Sequence, residues 1–418
     1  MDIEKQQTKR SSWEYFLLRA AREISLSESQ YETIEDRYSQ LQKILSASDD
    51  PLLAEAHIFV QGSMKLRTTI KPVYGAPEDL DTIDADAIVW LPYANGASSE
   101  DVLEAIETRF RNGSRVQEDI QQLRRGIRIV YSDENPGFHI DVTPARAING
   151  NREEKGEGKL EVPDREVGWK ASSPIPYSNW LDMASREQIT LEESYLAVAK
   201  SQQTFDAATQ DPLPDYQSYA YQDALRAAIK LLKRHRDEWA IRTGKERARP
   251  ISAVLTTLAT HSYLEVVKNS QSQPIRPLDA IIDIVRGMPN HIAHENGQYS
   301  VLNPLDHGEN FAEKWNRLSE GNLYREAFYD WHASAAASIS LGLENFDSTA
   351  DFSNAVNESF GIGPTFISKI NNEIPANWTL VGRSEGITRN ITSMGALFGG
   401  TTSSDNSQAD LKPVERLG

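Results

Sequence analysis

Ile83-Asp84-Ala85-Asp86-Ala87-Ile88-Val89-Trp90-Leu91 and Phe138-His139-Ile140-Asp141-Val142-Thr143 decide how this 418-residue chain is read. Side chains i and i+2 of an extended strand share a face, with Cα atoms about 6.6–6.8 Å apart. Asp84 and Asp86 therefore point one way, while Ile83, Ala85, Ala87 and Val89 point the other. In the second stretch Phe138, Ile140 and Val142 form the apolar face, which leaves Asp141 opposite with His139 and Thr143. As neighbouring strands at a spacing of about 4.8 Å, the two would bring three carboxylates together. Ionised carboxylates that close raise one another's pKa unless cations neutralise them. Such an oxygen site suits Mg²⁺, which binds through a few carboxylates and substrate phosphates. Asp79-Leu80-Asp81 is a competing pair, but it follows Gly75-Ala76-Pro77 and reads as a loop. From Asp86, by contrast, Ala87-Ile88-Val89-Trp90-Leu91 runs directly into a core.

Upstream, His57-Ile58-Phe59-Val60 reads as an apolar strand, followed by Gln61-Gly62-Ser63 and a short helix. Glycine lets a phosphate approach the backbone, a helix start offers free N–H groups, and Ser63 adds a hydroxyl. No GxxxxGK[ST] phosphate loop occurs. The stretch from Trp13 to about Leu45 reads as one long polar helix, ended by Ser46 to Asp50 and Pro51. Ser98–Arg111 reads as an amphipathic helix with acids in its first turn. Gly126–Ser132 is expected to form a strand joined to Phe138–Thr143 through a hairpin at Asp133–Gly137, and Pro144–Pro176 a long loop.

Beyond that, helical patterns run over about Ser178–Thr204, Tyr219–Thr243, Ile251–Val267, Pro277–Arg286, Asn310–Leu343 and Ala350–Phe360, ahead of a small, polar tail. The domain reading is an N-terminal helix over 1–50, a core over 51–176, a helical domain over 177–395 and a tail over 396–418. Basic residues gather from Arg226 to Arg249, and most of them read as a solvated helix face. Lys230 and Lys233 differ, being interleaved with Ile229, Leu231 and Leu232, so that either could reach a phosphate.

Lys plus Arg number 44 against 61 Asp plus Glu, a formal charge of −17, which argues against a long nucleic-acid partner. With no cysteine, thiolate nucleophiles, cysteine-ligated zinc and disulfides are excluded. The N-terminal stretch lacks the apolar segment of a secretion signal. No apolar run approaches the roughly 18 residues of a membrane span. The expected location is a reducing bacterial cytoplasm, with no membrane partner.

The order strand, Gly62-Ser63, helix, Asp84-x-Asp86, then Asp141 is that of a DNA polymerase β-like nucleotidyltransferase. QGSMKLRTTIKP (from Gln61), DADAIVWL (from Asp84) and FHIDVTPA (from Phe138) closely resemble the bacterial cGAS/DncV-like nucleotidyltransferases (CD-NTases) of CBASS anti-phage systems. VPDREVGWKASSPIPYSNWL (from Val162), LLKRHRD (from Leu231) and PISAVLTTLA (from Pro250) are similar to later motifs of that family, so the resemblance spans roughly residues 10 to 360.

The resemblance implies an α+β enzyme in which a mixed-sheet nucleotidyltransferase lobe precedes a helical lobe. The active site would lie in the cleft between them. ATP and/or other ribonucleoside triphosphates would be joined there into a cyclic di- or trinucleotide messenger. Asp84, Asp86 and Asp141 would hold two Mg²⁺, with Mn²⁺ as a substitute, and Asp141 would also take the proton of the attacking hydroxyl. Gln61, Gly62 and Ser63 would cradle the donor triphosphate, met from the helical lobe by Lys233 and Ser252. Arg67 stands where the family often has glycine, and Ala253 where cyclic GMP–AMP synthase has a base-stacking tyrosine. The resemblance also implies an E1/E2-like conjugating enzyme acting on a C-terminal Gly418. Alternatives with the same carboxylates are a template-independent polymerase making linear oligonucleotides and a small-substrate or protein adenylyltransferase; an inactive nucleotide-binding scaffold is a third.

Overall fold

The computed structural model describes residues 2–113, 119–131, 137–148, 156–192 and 224–374, with 378 and 380. Two helices, not one, open the chain: α1 (Asp2–Glu23) and α2 (Glu28–Ser46). The break is a capping box at Ser27, whose hydroxyl accepts from Gln30 N (3.3 Å) while Gln30 Oε1 accepts from Ser27 N (2.8 Å). A cap of this kind stabilises a helix start by about 1 kcal/mol, and it sends the two helices into different cores. Trp13, Phe16 and Leu17 of α1 enter the helical core, and Ile34, Tyr38, Leu41 and Leu45 of α2 enter the core under the sheet.

The sheet contains β1 (His57–Gln61), β2 (Ile83–Trp90), β3 (Ile120–Gln122), β4 (Ile127–Tyr131) and β5 (Phe138–Ala147) in the order β1-β2-β5-β4-β3. Only the central pair β2–β5 is parallel. The expected hairpin segment at 133–136 lies outside the described residues. The five-residue α3 (Gly62–Leu66) follows β1, and α4 (Ser99–Gly113) covers the sheet with Val102, Leu103, Ile106 and Phe110 buried.

Much of the segment expected to be a loop forms strands instead, with residues 149–155 outside the described set. β5 runs on to Ala147, and β6 (Leu160–Asp164) and β7 (Gly168–Ser172) extend the sheet. Ile88, Trp90, Ala145, Ala147, Leu160 and Val162 form a small second core on the face that carries Asp84 and Asp86 further down the strand. One end of that face is therefore sealed and the other left open.

The remaining helices are α5 (Pro174–Arg186), α6 (Ala224–Thr243), α7 (Ser252–Ser270), α8 (Pro277–Gly287), α9 (Gly321–Ile339), α10 (Thr349–Phe360) and α11 (Pro364–Glu373). α5 ends at Arg186, well short of the expected Thr204, and residues 193–223 lie outside the described set. The helical half also contains two small hairpins: β8 (Ala293–Glu295) with β9 (Gln298–Ser300), and β10 (Leu302–Asn303) with β11 (Asp306–Asn310). A helix over Asn310–Leu343 is thereby shortened to α9. Among the described residues no helix is long and apolar enough to cross a membrane.

Candidate active site

Strand pairing aligns the acids. Gln61, Asp86, Asp141 and Arg128 are register partners across β1, β2, β5 and β4, and Asp84 pairs with His139 in the next row. One ligand atom from each of Asp84, His139 and Asp141 lies within 4.8 Å of the others. Arg128 donates to both oxygens of Asp141, at 2.7 and 2.9 Å, and so fixes that carboxylate while occupying part of its acceptor capacity. The Asp79/Asp81 pair stays outside this row, with Glu78–Asp81 forming a 3₁₀ turn and Asp81 Oδ1 accepting from Gly75 N.

The electrostatics follow from this crowding. Burial raises the Asp86 pKa well above its ordinary value, and the charges of Asp84 and Asp141 push it the same way. Burial opposes ionisation of Asp84 too, but the His139 hydrogen bond and the charges of His139, Arg128 and Lys233 outweigh it and hold Asp84 low. Two adjacent carboxylates are thus driven apart in proton affinity. The set fits a divalent cation: Asp84, Asp86 and Asp141 are oxygen donors, and the cost of ionising Asp86 is one that added positive charge removes.

His139, which the sequence placed on the acid face without a role, is almost fully buried. Its Nε2 lies 2.9 Å from Asp84 Oδ1 and its Nδ1 lies 3.0 Å from Thr82 Oγ1. A histidine so fixed orients the carboxylate. His139→Ala is expected to weaken divalent-cation affinity about 10–100-fold, read by metal titration of the nucleotide-free protein; an unchanged affinity removes the positioning role.

Gly62 and Asp86 are in close contact. A Cβ on Gly62 would lie 1.9 Å from Asp86 Oδ2, and the residue has φ +59°. Ser63 Oγ accepts from Thr69 Oγ1 at 3.1 Å, and Ser63 O accepts from Thr68 N at 2.9 Å. Arg67 has φ +59° and ends α3 in the left-handed region, where glycine is least strained. That is a physical reason for the family's frequent glycine there.

The reading of a solvated basic face fails for Arg226, Arg234 and Arg236 of α6, which are buried, and holds for Arg242 and Arg247, which are exposed; Lys230 and Lys233, set apart in the sequence, are buried as well. Four backbone carbonyls from Leu66 to Pro72 take up three of these cations. Arg226 Nε donates to Leu66 O (2.9 Å), Lys233 Nζ to Thr68 O (3.1 Å), and Arg234 Nη2 to Lys71 O (2.7 Å) and Pro72 O (3.4 Å). Lys230 Nζ instead meets Ser25 Oγ at 2.9 Å, between α1 and α2. Arg236, which sequence reasoning did not single out, donates to Ser252 Oγ (2.9 Å) and pairs with Asp237.

A cavity of about 270 Å³ gathers Gln61, Gly62, Ser63, Asp84 and Asp86 with Lys233 and Ser252, and Arg236 and Arg249 also line it. Asp141 stands one strand further from this wall, beside Asp86 in register. Burial and the Arg236 charge lower Lys233 to about 8, while Asp237, Asp84 and Asp86 pull it back up. Charged below that pH, Lys233 offers the cavity a cation. In Lys233→Ala the nucleotide KM should rise about tenfold or more, as expected for losing a hydrogen bond to a charged group. The wild-type fall in kcat/KM above about pH 8 should vanish with it. Gly418 lies outside the described residues.

Comparison with known proteins agrees with this arrangement. Residues 12–184 match the family model of the Second Messenger Oligonucleotide or Dinucleotide Synthetase domain. A protein of Roseivirga ehrenbergii named c-di-GMP synthase is 26% identical over 318 residues, 74% of each chain. The fold is similar to that of the Bradyrhizobium diazoefficiens CD-NTase CdnG solved with GTP, with TM-score 0.61, 19% identity and coverage of 86% of this chain and 97% of that one. Escherichia coli MS115-1 CdnC solved with ATP gives TM-score 0.52 and 11% identity over 83% and 97% of the two chains. With the acids aligned on a polymerase β-like mixed sheet, residues 12–184 carry a domain that matches the second messenger oligonucleotide or dinucleotide synthetase model, and the chain has the fold of the cGAS/DncV-like nucleotidyltransferases.

Proposed function

We propose that the protein joins ribonucleoside triphosphates into a cyclic di- or trinucleotide, with Asp84, Asp86 and Asp141 holding two Mg²⁺. The observation that carries this is the shared cavity, in which two of those acids meet Gly62, Ser63, Lys233 and Ser252. The name of the Roseivirga relative supports guanosine among the substrates. Divalent cations at the triad would offset the acid charge and polarise the reacting phosphate and hydroxyl.

The chain's own groups do the rest. Gly62 leaves room for the Asp86 carboxylate at the head of α3, Ser63 contributes a hydroxyl, and Lys233 and Ser252 hold the phosphates from the helical side. The acceptor hydroxyl attacks the donor α-phosphorus, its proton passes to Asp141, and pyrophosphate leaves with the electron pair of the broken P–O bond. Phosphoryl chemistry of this kind depends mainly on positioning and charge stabilisation, so few further side chains are required. A second turn of the same reaction closes a dinucleotide ring, and a third closes a trinucleotide one.

The test is incubation with all four ribonucleoside triphosphates and Mg²⁺ or Mn²⁺, phosphatase treatment, then mass analysis. A cyclic product survives the phosphatase with no terminal phosphate. Products trimmed by it would favour the linear polymerase, and a nucleotide attached to a small molecule or protein would favour the adenylyltransferase.

A further inference from the structure

The same cavity has a second wall, built by β7, α5 and β11, to which no role has yet been given. Phe311 lines it, half-buried, with its ring edge-on to Tyr177 at 5.4 Å between centroids and 70° between planes. Tyr177 is held in turn by a buried 2.8 Å hydrogen bond to Thr257 Oγ1. Beside Phe311 stands Glu309 of β11. Its Oε2 accepts from Asn303 Nδ2 at 2.7 Å and from Ser173 N at 3.4 Å, and its Oε1 accepts from Ser172 Oγ at 3.2 Å. Asn303 and Ser173 are fully buried, so the carboxylate sits on a rigid base.

Every one of these partners donates. That suits the ionised carboxylate, which is acceptor-only and offers about four lone-pair positions. Among the described residues three are used, and one remains on the Oε1 side. Burial, aided by the Asp306 charge, raises the Glu309 carboxyl above its ordinary value, against the hydrogen bonds from Asn303, Ser173 and Ser172. A ring and a fixed acceptor lining one cavity wall make a pocket for a planar heterocycle that presents donors along one edge.

We propose that Phe311 and Glu309 select the base of a bound nucleotide, with the ring stacking on Phe311 and the Glu309 carboxylate accepting from the N1–H and 2-amino edge of guanine. This rests on the cavity being the nucleotide site, as above. Guanine presents two adjacent donors on that edge. Adenine presents the N1 acceptor there, which a carboxylate repels, and uracil presents a single donor between two carbonyl acceptors. Ser172 can rotate its hydroxyl away and free a second acceptor position on Oε1, so both guanine donors can be met.

The test uses the full chain with Mg²⁺ and the non-reacting α,β-methylene analogues of GTP, ITP and ATP. Inosine keeps N1–H and lacks only the 2-amino group. Expected affinities fall in the order guanosine, inosine, adenosine, by about tenfold at the first step, as for one hydrogen bond to a charged group. Glu309→Gln, which keeps the shape and an oxygen for Asn303, should lower guanosine-analogue affinity about tenfold or more. Adenosine-analogue affinity should stay the same or rise, because the new amide can donate to N1. Wild-type binding of the adenosine analogue as tight as the guanosine one overturns the assignment, as does an equal loss for both in Glu309→Gln at unchanged circular dichroism. If no analogue binds the wild type, the nucleotide-site reading itself fails and the base assignment with it.

Discussion

Asp84→Asn combined with Asp86→Asn is expected to abolish nucleotide joining, while the single variant Asp86→Asn melts at or above the wild-type temperature in the absence of metal. The loss should be about three orders of magnitude or more, since metal stabilisation of a transferring phosphoryl group supplies several kcal/mol. The stability effect follows from the direction of the Asp86 shift. Its pKa is raised well above the unfolded value by burial and by the charges of Asp84 and Asp141. A group raised in this way contributes stability below its unfolded pKa of about 3.9, and loses that contribution as pH rises through the folded value. At neutral pH the Asp86 carboxyl is therefore a cost to the fold, which asparagine removes. The melting gap between variant and wild type should open as pH increases from about 4 and narrow when Mg²⁺ is added to both. Scanning fluorimetry across pH, with and without the cation, reads this directly. A less stable Asp86→Asn variant, or full synthesis by the double variant, would reject the metal assignment.

Gly62→Ala is expected to be nearly as damaging despite adding one methyl group. Its Cβ would fall 1.9 Å from Asp86 Oδ2, at a backbone φ of +59° that disfavours any side chain. The atom that must give way belongs to one of the three acids, so the substitution displaces the group on which the reaction depends. Displacing a reacting group by about 1 Å costs about a hundredfold in rate, and kcat should fall by that much or more. Gly75→Ala is the control: it also has positive φ, +74°, but nothing lies within 4 Å of the added carbon. It should lose a little stability and keep its turnover. Comparable kcat in the two variants would show that the Gly62–Asp86 contact is irrelevant to the chemistry.

What the sequence made legible was local. Alternation in residues 83–91 and 138–143 gave the two acid strands, because period-two patterning survives whatever packs against it. The sequence could not show that β2 and β5 run parallel with Asp86 opposite Asp141, since register depends on the partner. The basic row of α6 was misread for a related reason. Charge normally means solvent, and the carbonyls of Leu66, Thr68, Lys71 and Pro72 that accept these cations come from a segment about 160 residues away. His139 could have been suspected from its place on the acid face, two residues before Asp141. Glu309 could not, because β10 and β11 are short, polar and edge-like, with no pattern to distinguish them from a loop. The interrupted N-terminal helix was legible only in part: Ser27 and Gln30 have capping-box spacing, but the apolar positions on both sides continue one plausible stripe.

The clasp between α6 and residues 66–72 grips main-chain oxygens, and this gives the segment an unusual freedom. Where the strap's side chains are only half-buried, at Ile70 and Lys71, exchange leaves every accepting atom where it was, whereas Leu66, Thr68, Thr69 and Pro72 are buried and fixed. The converse holds on the other side of the joint. Arg226, Lys233 and Arg234 have no such latitude, and a library randomised across both partners should return varied residues at 70 and 71 of the strap and nearly constant ones from the helix.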